Sequence, residues 1–184
     1  MKVLITGGAG FIGSNYVRHH LAQSDDQITI LDALTYAGSR DTISDFIDNS
    51  RVQFVHGDIC DRETVNAVLK GIDAIVHFAA ESHVDRSIAG SERFMVTNAV
   101  GTNVLCDLAK NSEIERFVHV STDEVYGSRE RGSFDENDRL EPSSPYSASK
   151  ASSDLIALGH HATHGLPVSV TRSSNNYGPY QFPE

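Results

Sequence analysis

The chain has 184 residues with 39 % hydrophobic side chains, which suits one globular domain with a full core and is too short for two large ones. Its 15 basic residues against 25 acidic ones give a formal net charge of −10, so nucleic acid and anionic membranes are disfavoured as partners and any phosphate must be held locally. The sequence shows no signal-peptide core, no apolar run of transmembrane length and no C-x-x-C motif around Cys60 and Cys106, so we expect a cytoplasmic protein with free thiols.

Short apolar runs alternate with longer segments of helical pattern along the chain. Strands are predicted over residues 2–6, 28–31, 52–55, 74–78, 117–120 and 168–171. Helices are predicted over about residues 11–22, 62–70 and 91–110, and from Pro145, which suits a first helical position with Ser144 as its cap. This alternation predicts an α/β fold, a Rossmann-like doubly wound parallel sheet with helices on both faces, in one domain over residues 1–184.

The predicted helix over residues 91–110 carries an apolar side chain at every fourth position. These residues are Val96, Val100, Val104 and Leu108. Their spacing indicates one apolar face of a regular α-helix.

A glycine-rich turn follows the first strand and opens the first helix. Gly7, Gly10 and Gly13 allow a tight turn, close approach of the backbone to a diphosphate and close packing of helix on strand. Asp32 ends the second strand, where a carboxylate binds the hydroxyls of an adenosine ribose. The negative charge favours NAD over NADP, and we interpret the nearby Arg40 as a solvated residue at a helix start rather than a 2′-phosphate ligand.

Polar and small residues also follow the third and fourth strands. Asp58 could accept a hydrogen bond from an adenine amino group, with Ile59 against the ring, and Ala79 begins the segment after the fourth strand. Both segments lie at carboxyl ends of strands, where open α/β sheets bind ligands. The alternative for Asp58, as a cap of the helix near Arg62, has equal support from spacing.

Two further patterns indicate proton-transfer chemistry. Tyr146 and Lys150 stand at i and i+4 on one face of a predicted helix, where the cation stabilises a phenolate that would otherwise form only near pH ~10. Asp123 and Glu124 follow Thr122 directly and offer a second acid and base. The alternative for this run is a helix cap.

Several other polar residues are given structural interpretations. The nine histidines include adjacent pairs and lack a carboxylate or cysteine pattern around them, so no metal site is predicted. His83 and Asp85 are assigned to a loop after the fourth strand, which they shape. Tyr126 has no lysine partner and is interpreted as a packing residue.

Taken together, the motifs resemble those of the extended short-chain dehydrogenase/reductase family, and within it the dTDP-glucose 4,6-dehydratases, over essentially the whole chain. The glycine spacing and the Tyr146/Lys150 pair mark the superfamily. The nearer resemblance rests on three segments, residues 79–87 (AAESHVDRS), 121–127 (STDEVYG) and 174–179 (SNNYGP). UDP-galactose 4-epimerases and GDP-mannose dehydratases share the glycines and the pair, but the epimerases lack the acid and base at Asp123 and Glu124.

The resemblance implies a role for each matching residue. Tyr146 would be the redox base, Lys150 would bind the nicotinamide ribose and depress the Tyr pKa, Asp123 would be the dehydration acid and Glu124 the base. The implied NAD contacts are Gly7, Gly10, Phe11, Ile12, Gly13, Asp32, Thr35, Asp58, Ile59, Ala79, Ala80, Thr97, Tyr146, Lys150 and Asn176. The implied nucleotide-sugar contacts are Ser82, Thr122 and Asn175.

The resemblance further implies NAD-dependent dehydration of dTDP-glucose to dTDP-4-keto-6-deoxyglucose in deoxysugar biosynthesis. It implies a homodimer through the helices near 91–110 and 145–164, and a substrate lobe beyond residue 184. The alternatives are another nucleotide-sugar epimerase or dehydratase and a catalytically silent NAD-binding fragment. We expect the 184-residue chain by itself to bind NAD and to turn over nucleotide sugar poorly.

Overall fold

The computed structural model describes residues 1–181, so the last three residues of the predicted domain 1–184 lie outside the described part of the chain. Six parallel strands form one sheet in the order β3-β2-β1-β4-β5-β6. Their bounds are β1 Lys2–Thr6, β2 Gln27–Asp32, β3 Val52–His56, β4 Ala74–His77, β5 Arg116–Thr122 and β6 Val168–Ser173. The predicted Rossmann-like doubly wound sheet is confirmed.

The helices flank this sheet. Their bounds are α1 Phe11–Gln23, α2 Arg62–Val68, α3 Val84–Ala89, α4 Glu92–Phe94, α5 Thr102–Ala109 and α6 Pro145–His164. The predicted start of α6 is confirmed, because Ser144 and Ser147 form a reciprocal capping box around Pro145. Gly165 ends α6 at φ 71°, in the left-handed region that glycine enters without a Cβ penalty.

Alternate residues of each central strand pack into two separate cores. In β1, Leu4 lies in a core under α2, α5 and α6, whereas Val3 and Ile5 lie in a core under α1. Leu31 and Ile75 of the neighbouring strands join the first core. Burial on both faces explains why these strands are almost uniformly apolar in sequence. Within residues 1–181, no helix combines the length and apolar character needed to cross a membrane.

The segment predicted as one regular helix over 91–110 differs from that expectation. A π-helical stretch, Met95–Gly101, separates α4 from α5. Its wider turns break the four-residue apolar repeat, so Val104 is buried while Val96 and Val100 are 44 % and 51 % exposed. The buried positions are Asn98 and Gly101 instead, and a Cβ on Gly101 would lie 2.6 Å from Ile59 Cδ1.

The segment after β4 also departs from the predicted loop. Residues Val84–Ala89 form α3, preceded by His83 at φ 90°. Of the two residues predicted to shape a loop, His83 precedes the helix, whereas Asp85 lies within it. The helix buries Ser87 and leaves Asp85 exposed.

Candidate active site

A crevice of ≈ 1340 Å³ opens at the carboxyl ends of the strands. It lies where the strand order reverses between β1 and β4, the position at which open α/β sheets bind ligands. The lining includes every predicted cofactor and nucleotide-sugar residue. These are Gly7, Gly10, Phe11, Ile12, Gly13, Asp32, Thr35, Asp58, Ile59, Ala79, Ala80, Ser82, Thr97, Thr122, Tyr146, Lys150, Asn175 and Asn176. Glu124 also lines the crevice, whereas Asp123 is exposed beside it.

The glycine-rich turn leaves the start of α1 open toward this crevice. Gly7 adopts φ 72°, and a Cβ there would lie 2.6 Å from the Ala79 nitrogen. A Cβ on Gly13 would lie 2.2 Å from the Gly7 oxygen, so both positions exclude any side chain. Gly10 stands at the N-cap and provides no side-chain cap. The first amides of α1 therefore have no capping side chain and fit a diphosphate.

Asp32 is held by backbone amides at the end of β2. Its Oδ2 accepts from the Ala9 amide at 2.9 Å and its Oδ1 from the Leu34 amide at 2.8 Å. Burial raises the pKa of this carboxyl, and the two amide bonds work against that rise. Each oxygen retains a lone pair for a ribose hydroxyl. Arg40 is exposed and its guanidinium lies 5.2 Å from the centre of the Phe54 ring, outside the crevice lining.

Asp58 does not cap α2, which corrects that alternative. The N-cap is Asp61, whose carboxylate accepts from the Glu63 amide. Asp58 accepts instead from the Cys60 amide at 2.8 Å and is exposed at the crevice. Burial raises the pKa of the Cys60 thiol to about 12, so the thiol is protonated at neutral pH.

Tyr146 and Lys150 lie on α6 at the inner end of the crevice. Lys150 is 5 % exposed and donates from Nζ to the Val120 carbonyl at 2.9 Å. Burial lowers the pKa of Lys150 to about 8, and the negative charge of Asp154 opposes that fall. The ammonium is therefore charged at neutral pH. Phe94 meets the Tyr146 ring edge-on at 6.4 Å.

The predicted acid and base lie in a short 3₁₀ turn, Asp123–Tyr126, that we call the acid/base turn. Thr122 caps it, because its Oγ1 accepts from the Glu124 amide at 3.2 Å, so the capping interpretation of this run is also correct. Burial raises the pKa of Glu124, and the neighbouring charge of Asp123 adds to the rise. A carboxylate with a raised pKa is a stronger base than an ordinary one.

Three contacts that hold crevice-lining residues were missed because they join distant segments of the sequence. Asn98, buried in the π-helical stretch, accepts from the Glu81 amide at 2.8 Å and donates to the Glu81 carbonyl at 2.9 Å. The Tyr36 hydroxyl donates to the Ser82 carbonyl at 2.6 Å. The Arg86 guanidinium lies 3.9 Å from the centre of the Tyr36 ring. The only sequence signal was their place beside motif residues.

Tyr126 corrects the interpretation as a packing residue alone. Its ring stacks on Phe134 with the centroids 5.1 Å apart, as packing requires. Its hydroxyl also accepts from Arg172 Nη1 at 2.6 Å, so it takes part in a polar contact with β6.

The segment after β6 returns to the start of α1. Asn15 donates to the Pro179 carbonyl at 2.8 Å, and the Arg18 guanidinium lies 3.9 Å from the centre of the Tyr180 ring. This contact brings Asn175 and Asn176 to the crevice lining. Within the described residues, no group of three or more His, Cys, Asp or Glu side chains is placed to hold a metal ion.

Comparison with known proteins gives a consistent set of similarities. The family model described as GDP-mannose 4,6 dehydratase matches residues 4–184. The chain is 56 % identical to a dTDP-glucose 4,6-dehydratase of Streptomyces antibioticus and 55 % identical to the low-salt glycan biosynthesis protein Agl12 of Haloferax volcanii. Both matches extend over 100 % of this chain but over only 56 % and 59 % of the lengths of those two proteins.

Two solved structures have the same fold as this chain. A dTDP-glucose 4,6-dehydratase from Streptomyces venezuelae with NAD bound has a TM-score of 0.97 at 55 % identity, covering all of this chain and 58 % of that one. A UDP-glucuronic acid 4-epimerase from Bacillus cereus with UDP-glucuronic acid and NAD has a TM-score of 0.95 at 30 % identity, covering all of this chain and 60 % of that one. Dehydratases and epimerases therefore share this scaffold.

Proposed function

The chain belongs to the GDP-mannose 4,6 dehydratase family, and we propose that it is the NAD-binding, catalytic portion of a dTDP-glucose 4,6-dehydratase. The observation that carries the proposal is the acid/base turn, which lies beside the crevice that also contains Tyr146 and Lys150. An epimerase needs the redox pair but has no use for an additional acid and base. The 56 % identity to a dehydratase of that name supports the same choice.

NAD is the proposed cofactor because the open amides of α1 and the Asp32 carboxylate fit its diphosphate and ribose. Bound NAD would supply the hydride acceptor for C4 of the sugar and, once reduced, the hydride donor for C6. Tyr146 takes the proton of the C4 hydroxyl, and the charged Lys150 beside it stabilises the phenolate that does so. Because Gly10 provides no side-chain cap, the amides at the start of α1 remain available to the diphosphate.

Glu124 then removes the C5 proton, which the new C4 carbonyl has made acidic. Asp123 donates a proton to the C6 hydroxyl, which leaves as water, and Glu124 returns a proton to C5 when C6 is reduced. The raised pKa of Glu124 suits proton abstraction, and Asp123 is exposed beside the crevice. Each such proton transfer contributes about 10²–10⁴-fold to rate.

The experiment is the identification of the product from dTDP-glucose by nuclear magnetic resonance, with the whole protein as encoded in its source and NAD. We expect the 4-keto-6-deoxy nucleotide sugar. The 4-epimer as product would favour the alternative of an epimerase, which the Bacillus cereus similarity keeps as the second candidate. An unchanged substrate with NAD bound would favour a silent NAD-binding protein.

The 184-residue chain by itself is expected to bind NAD and to turn over dTDP-glucose poorly, because it spans 56 % of the dehydratase that it matches. The matched measurement is turnover by the isolated chain and by the whole protein at equal NAD occupancy. Equal rates would contradict this part of the proposal.

We also propose a homodimer through the π-helical stretch and α6. Apolar side chains are exposed on both of these elements, and they form what we call the α6–π face: Met95, Val96, Val100, Leu155 and Leu158. An exposed apolar face of this kind is typical of a protein interface. A second copy, offering the same face through a two-fold axis, is the proposed occupant.

A further inference from the structure

A network of buried and partly buried polar side chains connects the acid/base turn to α6. Arg172 on β6 donates from Nε to Asp154 Oδ2 at 2.8 Å and from Nη1 to the Tyr126 hydroxyl at 2.6 Å. Asp154 on α6 is fully buried. His119 of β5 lies with Nε2 3.2 Å from Asp154 Oδ1. Three elements distant in sequence therefore meet at one ion pair.

The charges in this network of polar side chains balance within the protein. Burial favours the neutral form of Asp154, but the neighbouring His119, Ser121 and Arg172 side chains hold the pKa of this carboxyl below its ordinary value. Burial lowers the pKa of His119 to about 4, so the imidazole is neutral at neutral pH. The buried carboxylate and the guanidinium thus form a single compensated pair, which a planar Arg side chain can extend to a third group.

Tyr126 connects that pair to the turn that holds the acid and base. Its ring is 7 % exposed and packs with Val125 and Ala151 as well as Phe134. The backbone of the turn also makes hydrogen bonds of its own, among them the one from the Glu124 amide to Thr122 Oγ1. Gly127 donates to the Glu124 carbonyl at 3.1 Å, and Glu141 donates to the Val125 carbonyl at 3.0 Å.

Asp154 also shares a helix face with the redox pair. Tyr146, Lys150 and Asp154 recur at intervals of four along α6, so all three lie on one side of the helix. An anchor at Asp154 therefore fixes the acid/base turn relative to the same helix that carries Tyr146 and Lys150.

We propose that Tyr126, Arg172 and Asp154 are positioning residues that hold the acid/base turn in register with the Tyr146/Lys150 pair. None of the three needs to contact substrate for this role. The consequence for catalysis rests on the proposed function, whereas the positioning itself does not. A displacement of about 1 Å in a proton-transfer group costs on the order of 10²-fold in rate, so the anchor matters most for the dehydration step.

The first test needs no substrate. In the whole protein, Tyr126→Phe keeps the ring stack and removes only the hydroxyl. We expect amide hydrogen exchange at Glu124, Gly127 and Glu141 to speed up about tenfold or more, the size expected for a lost hydrogen bond to a charged group. Tyr16→Phe is the matched control, because Tyr16 lies on α1 and its ring packs against His20 and Phe78, outside this network. It should leave the exchange rates of these amides unchanged.

Arg172→Lys tests the same contact from the other side. A lysine keeps the positive charge opposite Asp154 but lacks the fork that reaches both partners. We expect it to speed exchange at the same amides, and the double variant with Tyr126→Phe to add little to either single one. Unchanged exchange at the turn in Tyr126→Phe, or full additivity of the two variants, would overturn the positioning role.

The second test uses dTDP-glucose and compares two steps in the same sample. Tyr126→Phe should lower solvent-deuterium exchange at C5 about tenfold relative to the formation of reduced nicotinamide. Loss of both steps by one factor would indicate a merely structural role and overturn the proposal. Absence of C5 exchange in the unaltered protein would contradict the proposed function instead, while the amide measurement would still decide the positioning.

Discussion

Lys150 carries its charge in a buried position at the crevice, and this has a measurable consequence for folding. Burial lowers its pKa from 10.5 to about 8. Below about pH 8 both the folded and unfolded states hold the proton, and the fold bears the cost of the buried ammonium. Between about pH 8 and 10.5 the unfolded state holds more protons than the folded one, so the stability of the fold rises with pH.

Lys150→Met removes this titration. As the pH is raised from about 7 to about 10, we expect the free energy of unfolding of the unaltered protein to rise by up to about 3 kcal/mol relative to that of the variant. Urea unfolding of both proteins at the two pH values measures this. A constant difference between the two proteins across that range would contradict a lowered Lys150 pKa.

At the residue scale, sequence reasoning succeeded where spacing along the chain carries the chemistry. The glycine turn, Asp32 and the Tyr146/Lys150 pair all follow from local position, and the structure brings them to one crevice. Asn98 and Arg172 were missed because their partners lie across the sheet, and no local pattern specifies such a contact. Tyr126 was assigned to packing because its hydroxyl partner is on β6.

At the scale of elements, the strands were the most predictable part, because a strand buried on both faces is apolar throughout. Strand β1 has the predicted bounds, and the other strands differ at their ends by one or two residues. The π-helical stretch was not predictable from a period of four. Its buried side is made by Asn98 and Gly101, which are a polar residue and a residue without a side chain.

The junction of β1 and α1 gives the prediction that belongs to this scale. Gly13→Ala places a Cβ 2.2 Å from a backbone oxygen that cannot move aside. We expect a loss of about 2 kcal/mol in the free energy of unfolding and a fall in NAD affinity of about tenfold or more. Urea unfolding and calorimetric titration with NAD measure the two effects.

Gly159→Ala is the control for that substitution. A Cβ at Gly159, inside α6, meets nothing within 4 Å. Alanine should therefore stabilise the helix by about 0.5–1 kcal/mol and leave NAD affinity as it was. Equal effects of the two substitutions would contradict the close packing inferred for the glycine turn.

At the scale of the whole molecule, the α6–π face predicts self-association. Leu155 is 61 % exposed on α6, and a charge there cannot be buried between two copies without a partner. Leu155→Glu should convert a dimer into a monomer in sedimentation velocity, whereas Ala22→Glu, at an exposed position of α1, should not. A monomeric unaltered protein, or a dimeric Leu155→Glu variant, would contradict the proposed interface.

The central claim is that the acid/base turn makes this NAD crevice a dehydratase site. The most direct measurement is solvent-deuterium exchange at C5 of dTDP-glucose by the whole protein carrying Glu124→Gln, with formation of reduced nicotinamide followed in the same sample. We predict that C5 exchange falls by at least about 10²-fold while C4 oxidation persists. Undiminished exchange at C5 in this variant would contradict the assignment of Glu124 as the base.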